Sequence, residues 1–583
     1  MEARVVAALD RGEDRETVRG LVGSGVPGLP ESVRLKLWSV LLGPQPPPAR
    51  RRESPPPQEV VDSRTLEADV RRTRQGEELF RSEIGRERLR SLLVTVCERR
   101  GVAYVQGLNE IAAPVAALWD GRDPLGHAVF SGLVGRVWGL YAQDSLLHAS
   151  RLYGSLVAYH DPGLASRLCD AGLSPAVYAT PWLVTLMTRP AATTELAHRV
   201  LDVVLASDAA TVFFLGLAVL RSRRRAFVDE PVSDAPRALA SLTLDAPDHF
   251  AAVVGEARAL ARATPESLKE ALRKAARGAG DGSFDRLLEL TRSENTTKTT
   301  KSSSLSSPNS LSEPERKFWL PAVVVSATEL ADSLGTGLCF KVIDVAAFSG
   351  SRLATGRLDD AISPPPTAAD HHPRQTERLA AWATARICGD ATLQGRHLLV
   401  VANDETRFLR GDALSEIFLP RPLRRRLLLP ADDLDDTLVD PVAHQVASSL
   451  RTTGVPRVST LERGGFEKFV ELLVSKNRHL RAKLPAFDPK AWHLYLKRRR
   501  RVEYKEDHQG PLAAANRAWR QLSTQLVPGA CLWADQQQQQ QQQQPGRSDH
   551  QQPGRALVSG AYQQSGHQPG RADPQAYPFP QFL

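Results

Sequence analysis

Cysteine is scarce and scattered in this 583-residue chain: Cys97, Cys169, Cys339, Cys388 and Cys531 form no Cys-x-x-Cys pair. That spacing argues against both a zinc site and a disulfide framework. No apolar run reaches the roughly 18 residues that a bilayer span needs, and the opening Met-Glu-Ala-Arg lacks the apolar region of a signal peptide. A cytosolic protein is expected. A dinucleotide fingerprint is missing as well. Gly23-Ser24-Gly25-Val26-Pro27-Gly28 has the letters of G-x-G-x-x-G, but Pro27 and Pro30 interrupt it where a helix should enter, so it reads as a loop. The formal charge of +9 comes mostly from arginine in an Ala- and Arg-rich chain, a compositional bias, and no nucleic-acid partner is expected.

The composition, 42% hydrophobic and 24% charged, is that of a soluble globular protein long enough for two or three domains. The most informative stretch runs from Leu66 to Gly107. Leu66 and Val70 stand four apart, as on the buried stripe of a helix, and Asp69 and Arg72 stand three apart on a neighbouring face. Tyr104-Val105-Gln106-Gly107 closes a loop, and the apolar run Leu108 to Trp119 reads as a buried helix, which puts the Gln106 amide at a helix entrance. An arginine fork and an amide on adjacent helix ends suit phosphoryl transfer to water. That reaction needs positive charge on the phosphoryl oxygens and a group that orients the attacking water.

Leu-x-x-Asp-x-x-Arg-Thr at 66–73 and Tyr-Val-Gln-Gly at 104–107 resemble two fingerprint motifs of the TBC domain family, GTPase-activating proteins for Rab GTPases; a third, Arg-x-x-x-Trp, stands upstream as Arg34 and Trp38. The resemblance implies Arg72 as arginine finger and Gln106 as glutamine finger, with Arg34, Trp38, Asp69, Thr73, Tyr104 and Gly107 supporting them. It implies no cofactor of the chain's own, with GTP and Mg²⁺ carried by the Rab partner, and a peripheral place on endomembranes, Golgi or endosomes. The segment Ala158 to Trp182, with Tyr159-His160-Asp161-Pro162, is most similar to the kinase-like members of the family. The kinase portion of those members is not found in this chain. His160-Asp161-Pro162 is expected to cap a helix. One departure is Arg199-Val200-Leu201-Asp202, where many TBC domains carry Arg-x-Trp-Asp.

Residues 1–20 suggest one short helix, and the Pro-rich stretch 44–58 a loop. Helical patterns follow over Leu125 to Leu140, Ser145 to Tyr159, Leu164 to Ala171, Pro181 to Met187, Glu195 to Leu205 and Thr211 to Leu220, an all-α domain over 15–290. Arg221 to Arg225 ends the last strong helix and reads as a solvated helix end, with anionic lipid as the rarer use. Residues 291–316 are Ser/Thr/Lys-rich and expected to be a disordered linker.

Past the linker the period changes. Phe340 to Val345 and His397 to Val401 are short β-branched runs separated by helical stretches, the pattern of a parallel α/β sheet. With Gly356-Arg357-Leu358 and Leu461-Glu462-Arg463-Gly464-Gly465-Phe466, the stretch 318–475 resembles a rhodanese domain, as in the TBC subgroup that carries one C-terminally. Rhodanese chemistry needs a thiolate at the end of the fourth strand. Ala402 occupies that place, Glu405 replaces the loop glycine, and Arg407 alone matches. An inert, scaffold-type domain is expected. Residues 476–535 are basic, and Lys497 to Arg501 beside Trp492 and Tyr495 suit an anionic membrane, an acidic partner tail or plain solvated charge. The Gln/Pro/Gly-rich tail, 536–583, is expected to be disordered. The fold class expected is thus multidomain: an all-α TBC domain, an α/β rhodanese-like domain and a disordered tail. The function expected is Rab GTPase activation in trafficking, with a non-catalytic scaffold as the alternative.

Overall fold

The computed structural model describes residues 2–23, 29–43, 64–100, 104–141, 143–278, 323–333, 339–345, 361–363, 375–402, 441–462, 465–476, 484, 487–494 and 496–497. All lie in one compact unit, Met1–Lys497. The loops expected at 24–28 and 44–58, the linker at 291–316, Gly356 to Asp360, Glu405, Arg407 and everything from Arg498 onward lie outside the described residues.

Up to residue 278 the described chain is almost wholly helical. Two helices, α1 (Glu2–Arg11) and α2 (Arg15–Gly23), stand where one was expected. Val5, Ala8 and Leu9 of α1 are buried in the same core as the later helices, so the helical layer begins before residue 15. Then come α3 (Glu31–Leu42) and α4 (Arg64–Arg72), the latter burying Leu66, Asp69 and Val70 at the spacing of one helical face. The short α5 (Glu78–Arg81) and long α6 (Glu83–Arg100) lead to α7 (Leu108–Leu118), buried along most of its length.

Helices α8 (Pro124–Val137), α9 (Gln143–His160) and α10 (Pro162–Asp170) follow. Both α8 and α10 open on proline behind a capping aspartate: Asp123 accepts from Leu125 N at 2.8 Å, and Asp161 from Leu164 N at 3.0 Å. The capping role expected for His160-Asp161-Pro162 is therefore the one observed. Helix α11 spans Pro175–Leu183, six residues earlier than the 181–187 pattern suggested, because Leu186 and Met187 take positive φ (51° and 65°) and turn the chain away. After α12 (Thr194–Ala206) and α13 (Thr211–Ser222) come α14 (Arg224–Val228), α15 (Ala235–Ala240), α16 (Pro247–Arg262) and α17 (Glu266–Ala276). So α13 is not the last strong helix. Nor is its arginine run merely solvated: Arg221 pairs with Glu256, Arg223 with Asp245 and Arg224 with Asp161.

The second layer is a parallel sheet in the order β1 (Val323–Val325), β4 (Val458–Leu461), β3 (His397–Val401), β2 (Phe340–Asp344). Around it stand α18 (Ala327–Ser333), α19 (Gln375–Cys388), α20 (Pro441–Thr452) and α21 (Gly465–Lys476). Every residue of β3 is buried, and the period of two sorts them. Leu398 and Val400 join a core with α19 and α20, whereas Leu399 and Val401 join one with α18 and α21. That second core also takes Leu484 and Trp492, so the layer runs past the expected end at 475. Trp492, noted beside the basic run 497–501, packs inward.

The two layers share a seam. Val323 of β1 belongs to the helical core. Arg457 N donates to the Tyr159 carbonyl at 2.7 Å, and the Tyr159 hydroxyl lies 2.8 Å from His397 Nδ1. Helix α17 begins behind Pro265, which offers no capping side chain; Glu329 of α18 supplies one, accepting from Glu266 N (2.5 Å) and Ser267 N (2.9 Å).

Candidate functional site

Helix α4 ends at Arg72, and its last turn points the expected finger and its acid the same way. Arg72 Nη2 lies 2.5 Å from Asp69 Oδ1; the arginine side chain is 56% exposed and the aspartate 1%. The other Asp69 oxygen accepts from the Tyr104 hydroxyl at 2.7 Å. Burial first, and then this bond, push the tyrosine's ionisation far above its ordinary value. Tyr104 is thereby a fixed donor.

From Tyr104 the chain turns through exposed Gln106 to Gly107, whose φ of 103° a side chain would strain. Gly107 N donates to Asn109 Oδ1 at 3.2 Å, and Asn109 Nδ2 donates to Thr73 Oγ1 at 2.9 Å. The Thr73 hydroxyl donates in turn to the Asp69 carbonyl at 2.5 Å. A closed, buried circuit thus joins the end of α4 to the entrance of α7. It brings Asp69, Thr73, Tyr104 and Gly107 together beneath Arg72 and Gln106.

Arg34 and Trp38 lie elsewhere. Both belong to α3 and both donate to one buried carboxylate of α12: Arg34 Nε to Asp202 Oδ2 (3.2 Å) and Trp38 Nε1 to Asp202 Oδ1 (2.8 Å). Burial raises the Asp202 pKa, while the Arg34 charge and the indole bond pull it down. This anchor fastens α3 to α12 and does not touch the circuit under Arg72.

Four residues escaped the sequence reading. Asn109 is the crosspiece of the circuit; its signal was a polar residue in the first turn of an otherwise apolar run. Asp202 stood in the noted departure Arg199-Val200-Leu201-Asp202. Arg74, with φ of 45°, donates to the carbonyls of Thr188 (3.1 Å) and Ala191 (3.3 Å), and Glu77 receives Thr194 N at 2.8 Å. Such a clamp between remote loops leaves no local pattern. Beside it, burial raises the Glu110 carboxyl, against the charges of Arg74, Arg189 and Arg72.

In the α/β layer, Ala402 follows β3 and packs partly buried against the sheet core. Cys339 and Cys388 are exposed. No described group of three or more His, Cys, Asp or Glu could hold a metal ion, and no described helix is long and apolar enough to cross a membrane.

Residues 31–228 match the family model of the Rab-GTPase-TBC domain, a span that holds the whole circuit, both expected fingers and the Asp202 anchor. This stretch is similar to a TBC domain. Over 202 residues the chain is 26% identical to the TBC domain-containing protein kinase-like proteins of Homo sapiens and Mus musculus, covering 34% of this chain and 22% of each relative. It thus spans about a fifth (22%) of the length of these curated relatives. Cell division control protein 16 of Schizosaccharomyces pombe is 27% identical over 159 residues, covering 27% of this chain and 53% of that one. The solved Ypt/Rab-GAP domain of Gyp1p aligns over 44% of this chain and 98% of its own, at 16% identity and a TM-score of 0.36, too low to carry an argument.

Proposed function

We propose that this protein accelerates GTP hydrolysis by a Rab-family small GTPase, with Arg72 and Gln106 as the two groups it inserts. The partner brings GTP and Mg²⁺. Arg72 offsets charge building on the γ-phosphate, and Gln106 orients the attacking water. The observation that carries this reading is the buried circuit Asp69–Tyr104 and Asn109–Thr73, which holds an exposed arginine helix end and an exposed glutamine loop in fixed relation. A finger of this kind is worth roughly 10³ to 10⁵ in rate. Stimulated hydrolysis across a Rab panel is the test, with Arg72→Ala expected to lose at least about a hundredfold while melting normally. Unchanged stimulation by Arg72→Ala would sink the mechanism.

A non-catalytic scaffold is the second reading, favoured by one feature: Arg72 rests against Asp69 instead of standing free. In either case the layer around β3 is read as a rhodanese-like module without its cysteine, since Ala402 offers no nucleophile, and the protein is assigned to the cytoplasmic side of Golgi or endosomal membranes.

A further inference from the structure

In one group of four arginines of the helical layer, three have no ion pair among the described residues. Arg15 and Arg19 lie one turn apart on α2, Arg136 is the penultimate residue of α8, and Arg277 follows α17. Backbone packing draws these positions together. A Cβ on Gly139 would stand 2.3 Å from the Arg277 carbonyl oxygen, so the turn after α8 presses directly on the end of α17. Arg15 Nη1 reaches 3.5 Å from the Cβ position at Gly43, the end of α3, and α3 lies along α8.

Arg136 is partly buried. Its Nη2 is closed to water and has no acceptor among the described residues, and the same holds for Nε of Arg15 and Nε of Arg19. Burial together with repulsion from Arg15, Arg19 and Arg277 lowers the Arg136 pKa, and no acid opposes them. The one carboxylate paired with the group among the described residues is that of Glu16, 72% exposed and 3.1 Å from Arg19 Nη1. Helices α8 and α17 both end here, and their carbonyl ends favour cations by about 0.3–1 kcal/mol each. That accounts for one arginine at each end, and Glu16 for Arg19, and leaves Arg15 of α2 without a counter-charge among the described residues. The run Arg221 to Arg225 shows the usual solution, with a carboxylate for Arg221, Arg223 and Arg224.

We propose that Arg15, Arg19, Arg136 and Arg277 form a binding site for a phosphate-bearing anion, remote from the circuit under Arg72. Guanidinium forks arriving from three helices match the several oxygens and multiple charge of a phosphate monoester. A single carboxylate would satisfy one fork and leave the remaining charge in place. The phosphate can be carried by a soluble compound or by a phosphorylated lipid headgroup; the chemistry recognised is the same.

The test uses the full chain. Inositol hexakisphosphate and inorganic phosphate are titrated calorimetrically, and phosphatidylcholine vesicles with and without phosphatidylinositol bisphosphate are used for co-sedimentation. The double variant Arg15→Gln/Arg136→Gln and the single variant Arg277→Gln are compared with Arg237→Gln, which removes the same charge from a side chain 87% exposed elsewhere. Loss of two forks should weaken binding at least about tenfold, and Arg237→Gln should leave it unchanged. Binding of the soluble probes that the site variants weaken supports a soluble ligand. Binding to phosphoinositide vesicles alone, weakened by the same variants, supports a headgroup. Should the double variant unfold, Arg277→Gln at an exposed position still carries the test. No binding of any probe by the parent chain, or equal weakening by Arg237→Gln, overturns the proposal.

Discussion

The rim over α4 and α7 and the end of β3 are the two places where chemistry was expected, and they are built in opposite ways. Under the rim, the polar groups of Asp69, Thr73, Tyr104, Gly107 and Asn109 are buried and bonded to one another, with Arg72 and Gln106 left exposed. At the end of β3, Ala402 packs on an apolar sheet core. The α/β layer instead has polar contacts at the seam: buried His397 against Tyr159, and the partly buried Glu329 on the first turn of α17 and Arg457 on the Tyr159 carbonyl. A buried polar group without a partner costs about 1–3 kcal/mol, so satisfied networks mark where a fold must hold a position. Here they hold the rim that carries Arg72 and Gln106 and the seam between layers.

The largest stability effect separating these regions should come from the anchor behind the rim. Asp202→Ala leaves the Arg34 guanidinium buried without its carboxylate and should cost about 3–5 kcal/mol, read as a shift in denaturant midpoint. Acid should act next, chiefly at the seam. His160, His397 and His444 are held neutral by burial, their pKa values lowered from 6.5 to about 3, 4 and 4. The unfolded chain takes up these protons near pH 6.5, so the stability they confer is full above that pH and is lost as pH falls toward 4. At pH 5 each should account for about 2 kcal/mol, measured by unfolding across pH. His198, near Arg34 and likewise lowered to about 4, brings a similar contribution to the rim's side.

Smaller effects sharpen the contrast. Asn109→Ala opens the circuit at its crosspiece and should cost about 1–2 kcal/mol in stability. On the proposed mechanism it should also lower the stimulated rate with little change in Rab affinity; an unaltered rate would detach the circuit from the fingers. Tyr159→Phe removes one hydroxyl from the seam and should cost about 0.5–1.5 kcal/mol with stimulation intact. A rate that fell with it would mean that the two layers are coupled in function as well as in packing.

Much of the rim was legible because its signals are local. The spacing of Leu66 and Val70 set the buried face of α4, the spacing of Asp69 and Arg72 set their pairing, and Asp161 before Pro162 set a cap. The misread elements depend on distant partners. Leu186 and Met187 look helical, but positive φ turns them out of α11. Arg221 to Arg225 looks solvated, but its acids come from α16, from residue 161 and from residue 245. Trp492 looks like a surface aromatic beside a basic run, yet it completes a core built from residues up to 167 positions earlier, Val325 among them.

By itself the amino-acid order determined the helix periods, the change to β-branched runs after residue 318, the absence of a thiol at Ala402 and the residues available for the rim, because each depends on neighbours within a turn or a strand. Only the tertiary structure decided that Asn109 bridges to Thr73, that Asp202 serves both Arg34 and Trp38, and that Glu329 caps α17. Those are contacts between residues 36 to 168 positions apart, set by how the layers pack, and no local pattern encodes them.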